Sequence, residues 1–202
     1  MAGFFEPTQG SVRVDDTPVT GPGPDRGVVF QEYALFPWLT ARKNVEFGLS
    51  VQGVSSEERK RLSLEYLDLV GLARAADRYP HELSGGMRQR VAVARALVNK
   101  PDFLLMDEPF AAVDSLTRAS LQHELVRMWK ELGIGIFMIT HNIEEAVYLA
   151  ERVVIMTPHP GRIQEVVAVD LPYPRNRASN EFGLTYARVS EAFHGNVEQQ
   201  VA

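Results

Sequence analysis

The fold is decided by two stretches, Leu83-Ser-Gly-Gly-Met-Arg-Gln-Arg90 and Phe103-Leu-Leu-Met-Asp-Glu108. In the first, a serine and two glycines precede an Ala-, Val- and Leu-rich segment that predicts a helix halted near Pro101. The second predicts a strand that is fully apolar, as a parallel strand covered on both faces should be. Two carboxylates follow directly at its end. Strand and helix patterns alternate after it, which predicts an α/β fold with a parallel sheet.

The composition is typical of one soluble globular domain. The chain has 202 residues, a formal net charge of −5 and no cysteine. Disulfides and thiolate chemistry are therefore excluded. We find no apolar run of about 18 residues and no signal-peptide pattern, so we expect a cytoplasmic chain without a membrane span. The acidic balance argues against nucleic acid as a partner.

The remaining elements follow from hydrophobic periodicity and from Gly and Pro punctuation. An edge hairpin is expected after Gly10, and the segment after Pro172 is expected to be a surface linker with one terminal helix. We predict strands over 27–30, 103–106, 135–140, 152–157 and 163–169, and helices over 57–70, 87–98, 115–132, 143–150 and 180–194.

Polar side chains close three of the predicted strands: Gln31, the pair Asp107-Glu108, and His141. Ligands bind at the carboxyl ends of the strands in an open parallel sheet, so these residues predict one site. Two carboxylates after an apolar strand are typical of a Walker B strand, which holds Mg²⁺ and activates water. Taken alone, the same pattern also fits a strand that ends in an acidic helix cap.

The stretch that opens with Ser84 is more specific. A serine and the glycines Gly85 and Gly86 at a helix start expose backbone amides that can bind an anion. Phosphate is the anion that such a site is expected to bind. A plain helix cap would explain the residue types. It does not explain the block Ser-Gly-Gly-x-x-Gln-Arg 23 positions before Asp107.

Here the sequence resembles the ATP-binding cassette (ABC) family, whose signature is Leu-Ser-Gly-Gly-x-x-Gln-Arg. Gln31 matches the Q-loop, Asp107-Glu108 matches Walker B, Asp114 matches the D-loop and His141 matches the switch histidine. Three further stretches resemble the ATPase subunits of nitrate, sulfonate and taurine importers: Gly21-Pro-Gly-Pro-Asp-Arg-Gly-Val-Val-Phe-Gln31, Phe36-Pro-Trp-Leu-Thr40 and Met156-Thr-Pro-His-Pro-Gly-Arg-Ile163. The resemblance implies a P-loop NTPase-like core with a helical subdomain over about 40–98.

The resemblance also implies roles for single residues, with ATP and Mg²⁺ as cofactors. Asp107 would bind the metal, Gln31 would contact the metal or the attacking water, Glu108 would act as general base, and His141 would contact the γ-phosphate. The family's ATP site is shared between two subunits. ATP bound to the facing subunit would contact Ser84, Gly85, Gly86, Gln89 and Asp114. The family usually has aspartate where this chain has Asn142, and either residue can cap the helix that follows.

The 202 residues contain no Walker A loop of the form Gly-x-x-x-x-Gly-Lys-Ser/Thr. In the family this loop precedes the stretch that matches Ala2–Gly10, so the resemblance implies that the first strands and the P-loop lie before residue 1. We therefore expect a partial ATPase domain over 1–172 and a tail over 173–202. We also expect this polypeptide alone neither to bind ATP tightly nor to hydrolyse it.

The function implied is an ATP-binding subunit that powers import of nitrate, sulfonate, taurine or a related small anion. Such a subunit lies on the inner face of the membrane and pairs with a second ATPase subunit. It docks on a permease, here through Gln31–Trp38. A solute-binding protein is an indirect partner. Local core is the other interpretation of that aromatic stretch. A non-catalytic fragment that donates its signature remains an alternative. Chromosome-maintenance ATPases are disfavoured, because only 53 positions separate Gln31 from Ser84.

Overall fold

The computed structural model describes residues 1–111 and 113–195. The chain divides into two compact units, Met1–Ile139 and Thr140–Ala202. The division into a domain over 1–172 and a tail stays a prediction. Positions 196–202 of that tail lie outside the described residues.

The first unit contains a short hairpin, three further strands and four α-helices. They are β1 (Arg13–Val14), β2 (Thr17–Pro18), β3 (Arg26–Val29), α1 (Ala41–Val51), α2 (Ser56–Leu69), α3 (Gly85–Leu97), β4 (Phe103–Asp107), α4 (Ser115–Leu132) and β5 (Gly135–Ile139). Two 3₁₀ turns at Ala73–Ala75 and Pro80–Glu82 link α2 to α3. The predicted hairpin, strands and helices of this unit are confirmed within a few residues.

Strands β3, β4 and β5 form a parallel sheet in that order. The predicted parallel sheet is thereby confirmed, with the buried residues Leu104, Leu105 and Met106 at its centre. The expectation that β5 is a buried strand is wrong, because Ile139 is 53 % exposed. Among the described strands β5 pairs only with β4, so it is an edge strand. All three strands end at one side of the sheet, which places Gln31 near Asp107.

Helices α1, α2 and α3 pack against one another as a helical layer. Sequence reasoning did not predict α1, although Thr40 caps it by accepting a hydrogen bond from the Lys43 N–H at 3.3 Å. Inside this layer lie Val45, Leu67 and Val91, all fully buried. The fully buried Asn44 holds the preceding loop, since it bonds the backbone of Phe36 in both directions.

The second unit contains α5 (Ile143–Leu149), β6 (Arg152–Met156), β7 (Ile163–Ala168) and α6 (Asn180–His194). Strands β6 and β7 pair antiparallel, and α6 confirms the predicted terminal helix. The expectation of a surface linker after Pro172 is wrong, because Arg175 is only 6 % exposed. A guanidinium has five N–H donors, and it can be buried when carbonyl oxygens meet them. Within the described ranges, no helix is long and apolar enough to cross a bilayer.

Candidate functional site

Two predicted site residues meet at the carboxyl edge of the sheet. The Gln31 Nε2–H donates to Glu108 Oε2 at 3.1 Å. Glu108 has φ of 42°, in the left-handed region that non-glycine residues seldom adopt. Its N–H donates to the Ile139 carbonyl at 2.9 Å, which anchors the turn to the end of β5. The chain therefore changes direction directly after Asp107 and keeps the two acidic residues at the sheet edge.

The residues at this edge fit a metal that takes most of its ligands from elsewhere. Asp107 is exposed at the end of β4, and the Gln31 amide and the Glu108 carboxylate lie together beside it. Oxygen ligands of this kind suit Mg²⁺, which keeps several waters and is held by one or two carboxylates plus substrate phosphates. In the described part of the chain, no group of three or more His, Asp or Glu side chains forms a complete metal cage.

The N-terminus of α3 carries Ser84, Gly85 and Gly86. Ser84 is exposed and caps the helix, with its Oγ accepting from the Met87 N–H at 3.3 Å. Gly86 is buried, and a Cβ added to it would lie 2.5 Å from Thr117 Cγ2. This glycine therefore lets α3 approach α4 closely. The first turn of α3 holds no acidic side chain, so its amide end can receive an anion.

Helix α4 begins beside the start of α3. Asp114 caps α4 and accepts a hydrogen bond from the Thr117 N–H at 3.0 Å, and Thr117 is also the residue that contacts Gly86. Ser84 and Asp114 are both exposed. The structure thus brings the predicted signature and D-loop residues to two neighbouring helix starts.

Asp114 gives a testable pH dependence. Hydrogen bonds from Thr117 hold the pKa of Asp114 below its ordinary value. The bond from the Thr117 backbone has the largest effect, and the bond from its side chain comes second. A carboxyl whose pKa is lower in the folded state stabilises the fold above its unfolded pKa, and this contribution is lost as the pH falls through the folded pKa. We expect Asp114→Asn, which still caps α4, to lose less stability than the wild type between pH 5 and pH 3.

Thermal melts of both proteins across that range check the Asp114 prediction. Asp16→Asn is the matched control, because Asp16 is exposed and lies on the hairpin. Parallel loss of melting temperature in the wild type and in Asp114→Asn would contradict the expected role of the carboxylate.

Gln89, expected to contact nucleotide, is 1 % exposed. Neither its Nε2 nor its Oε1 has a hydrogen-bond partner among the described residues. It lines a small cavity between α3 and α4 with Arg90 and Glu124, whose Nε and Oε2 atoms lie 3.6 Å apart. Its volume of about 10 Å³ is at the lower limit of the space that one water needs. A contact of Gln89 with nucleotide stays a prediction.

His141 belongs to the second unit and is exposed immediately before α5. Asn142 caps this helix, as expected, by accepting from the Glu145 N–H at 3.1 Å. Thr140 Oγ1 donates to Glu145 Oε2 at 2.7 Å and accepts from the Asn142 N–H at 3.0 Å. The residues on either side of His141 are therefore held by one hydrogen-bonded network.

The aromatic stretch over 33–38 is partly core and partly surface. Tyr33 is buried, whereas Trp38 is 70 % exposed. The Phe36 ring lies 5.6 Å from the Trp38 ring and 4.5 Å from the Phe47 ring. Arg95 of α3 donates to the Tyr33 carbonyl at 2.9 Å. Sequence reasoning did not single out Arg95, because nothing in an Ala-, Val- and Arg-rich helix marks which arginine reaches a distant loop.

A cavity of about 570 Å³ lies beside this stretch. Its wall is formed by Gln31, Glu32, Tyr33, Leu35, Pro80, His81 and Arg88. The cavity thus connects the residue that pairs with Glu108 to the turn before α3. The Arg88 guanidinium lies 5.7 Å from the centre of the Tyr33 ring and covers one side of it.

The chain matches the sequence model of a known protein family. The model of the ABC transporter family matches residues 1–111, which is more than half of the chain. The chain belongs to the ABC transporter family. Proteins of this family bind ATP with Mg²⁺, which agrees with the oxygen ligands at the carboxyl edge of the sheet.

Two relatives of this ABC protein are named for import functions. The nitrate import ATP-binding protein NrtD of Synechocystis sp. is 51 % identical over 181 residues, which are 88 % of this chain and 68 % of NrtD. The taurine import ATP-binding protein TauB of Burkholderia thailandensis is 52 % identical over 181 residues, which are 90 % of this chain and 69 % of TauB. Both sequence identities are high enough to show that these relatives and this chain belong to one family.

Solved structures confirm the α/β cassette fold. The dimeric, post-hydrolysis structure of the ATP-binding cassette MJ0796 bound to ADP and Pi is 34 % identical, with a TM-score of 0.70. The match covers 82 % of this chain and 76 % of MJ0796. The sheet and the helical layer of this ABC protein therefore belong to a known cassette architecture.

Proposed function

We propose that the chain is the ATP-binding subunit of an importer for nitrate, sulfonate, taurine or a related small anion. The observation that carries this proposal is the identity above 50 % to relatives that are named for nitrate import and taurine import. The Gln31–Glu108 pair and the exposed Ser84 at the start of α3 supply the matching local geometry. The solute itself is selected elsewhere, in a permease and a solute-binding protein.

The edge of the sheet supports a hydrolytic role for Glu108. Bound ATP with its Mg²⁺ supplies the phosphoanhydride bond that is broken. Asp107 would hold the metal, and the Glu108 carboxylate would take a proton from the attacking water. The hydrogen bond from Gln31 at 3.1 Å orients that carboxylate. His141 would contact the γ-phosphate from the start of α5.

The aromatic stretch supports docking on a permease. Trp38 and Phe47 are exposed apolar rings beside the cavity wall that begins at Gln31. Exposed aromatic side chains of this kind are enriched at the centres of protein interfaces. A permease bound there would hold the subunit at the inner face of the membrane and would transmit movement to the Gln31–Glu108 pair.

A second candidate function is that of a signature donor to an intact partner subunit. The observation that favours it is that Ser84 and Asp114 are exposed at the starts of two neighbouring helices. In this role the chain would complete ATP held by the partner, and Glu108 would not take part in the reaction.

The test mixes the 202-residue chain with TauB of Burkholderia thailandensis whose signature serine, at the position matching Ser84, is replaced by arginine. We expect the chain alone to accelerate ATP hydrolysis less than about tenfold. Groups that hold the phosphates dominate such catalysis, and the 202 residues contain no Walker A loop to supply them. In the mixture we expect hydrolysis to rise at least about tenfold over the TauB variant alone, because a signature helix now faces its ATP. No rise in the mixture would contradict both candidates.

Two matched variants complete the experiment. Ser84→Arg in this chain should abolish the rise, whereas Arg13→Ser, on the exposed hairpin, should not. Glu108→Gln then tests whether the carboxylate takes part. The 202 residues hold no Walker A loop, so the ATP hydrolysed in the mixture is held by TauB and we expect an unchanged rate. A fall in the rate would contradict the role of a pure signature donor and would support hydrolysis at Glu108.

A further inference from the structure

The segment 171–177 is bound tightly to α5. Arg175 is buried, and its guanidinium donates to four backbone carbonyls. Nη1 donates to Val147 O and to Ala150 O, both at 2.7 Å, and the other two bonds reach Val169 O at 3.2 Å and Leu171 O at 3.1 Å. The carbonyls at the C-terminal end of a helix have no partner within it, so this arginine closes α5 from outside.

A second side chain of the segment closes the same end of α5. The Tyr173 hydroxyl donates to the Leu149 carbonyl at 2.5 Å. The Arg175 guanidinium lies 4.1 Å from the centre of the Tyr173 ring, so the two side chains brace each other. The carbonyls of Val147, Leu149 and Ala150 at the end of α5 are thereby satisfied by residues that follow much later in the chain.

The start of α5 is held by the same segment. Arg177 Nε donates to Glu144 Oε1 at 2.6 Å, and its guanidinium lies 3.5 Å from the centre of the Tyr148 ring. Glu144 is in the first turn of α5, three residues after His141. The helix has only seven residues, too few to be stable by itself in water.

We propose that the segment 171–177 is a clamp that positions His141 by fixing α5 at both ends, with Arg175 as its main positioning residue. The capping network of Thr140, Asn142 and Glu145 transmits this placement to the histidine. The consequence for catalysis rests on the proposed function of His141. The placement itself does not.

The test measures the His141 ring in the full chain by ¹H–¹³C NMR, with the signal assigned from a His141→Gln variant. We expect Arg175→Met to move or broaden the His141 signals, and to raise amide exchange in α5 at least about tenfold while β6 and β7 keep their protection. Arg175→Lys should restore part of the protection, because an ammonium supplies three donors from one point. Arg162→Met, an exposed arginine in the β6–β7 turn, is the matched control and should change neither readout.

Folded Arg175→Met with His141 signals superimposed on those of the wild type would overturn the proposal. Equal loss of protection in β6 and β7 would also overturn it, because the arginine would then be a general core residue. Should Arg175→Met not fold, Tyr173→Phe decides the question: it removes only the bond to Leu149 O, and unchanged His141 signals would count against the clamp. No nucleotide enters these measurements, so failure of the ATP assays leaves their result intact.

Discussion

Asn44→Leu is expected to lower the free energy of unfolding by about 3 kcal/mol. The Asn44 side chain is fully buried, and its Oδ1 accepts from the Phe36 N–H at 2.8 Å. Its Nδ2 donates to the carbonyls of Phe36, Leu39 and Thr40 at 3.0 to 3.2 Å. Leucine has the same branching but leaves the Phe36 N–H without a partner, which costs about 1–3 kcal/mol, and it removes the donors to the carbonyls as well.

Urea unfolding and amide exchange measure this effect globally and locally. The Phe36 amide should exchange at least about tenfold faster in Asn44→Leu, because its acceptor is gone. Lys43→Leu is the control, since Lys43 is the exposed neighbour on the same helix and should change stability by less than about 0.5 kcal/mol. Equal stabilities for the two variants would show that the loop before α1 does not depend on the asparagine.

Gly86→Val is expected to destabilise the first unit by about 3 kcal/mol and to remove signature donation. The valine Cβ would lie 2.5 Å from Thr117 Cγ2, so the Thr117 side chain or the two helices must shift, and the valine methyl groups add to the crowding. Overpacking of this kind costs about 1–3 kcal/mol, and replacing glycine with a β-branched residue in a helix offsets little of it. The displaced helix starts would carry Ser84 and Asp114 away from a shared ligand.

A compensating change identifies the clash as the cause. Gly86→Ala adds only the Cβ, and Thr117→Ser removes only the Cγ2 that it meets. We expect the double variant to recover most of the stability that Gly86→Ala loses, in denaturant unfolding and in the TauB mixing assay. Additive losses in the double variant would show that Thr117 Cγ2 is not what limits the side chain at position 86.

Local sequence signals predicted much of the fold. Gly133 ends α4 with φ of 65°, the left-handed conformation that a helix end favours in glycine. Asn142 caps α5 as its short polar side chain indicates. The parallel strands follow from short apolar runs that end in polar residues. Such features depend on neighbours within a few positions, so one sequence is enough to find them.

Features set by distant contacts were not predictable in the same way. The donors of Arg175 meet carbonyls up to 28 positions earlier, and nothing near it in sequence marks it as buried. The positive φ of Glu108 depends on its bond to Ile139, on another strand. For α1 a signal existed, since Thr40 precedes the apolar pair Val45 and Leu49 at helical spacing. The burial of Gln89 follows from the close approach of α4, which only the packed structure shows.

The clamp on α5 also fixes an order of events during synthesis. The carbonyls of Val147 and Leu149 receive their donors from residues 28 and 24 positions later. A ribosome adds about 5–20 residues per second, so these donors are made about 1–5 s after the helix itself. Until they emerge, the seven-residue helix has no fixed end, and His141 has no fixed place on the nascent chain.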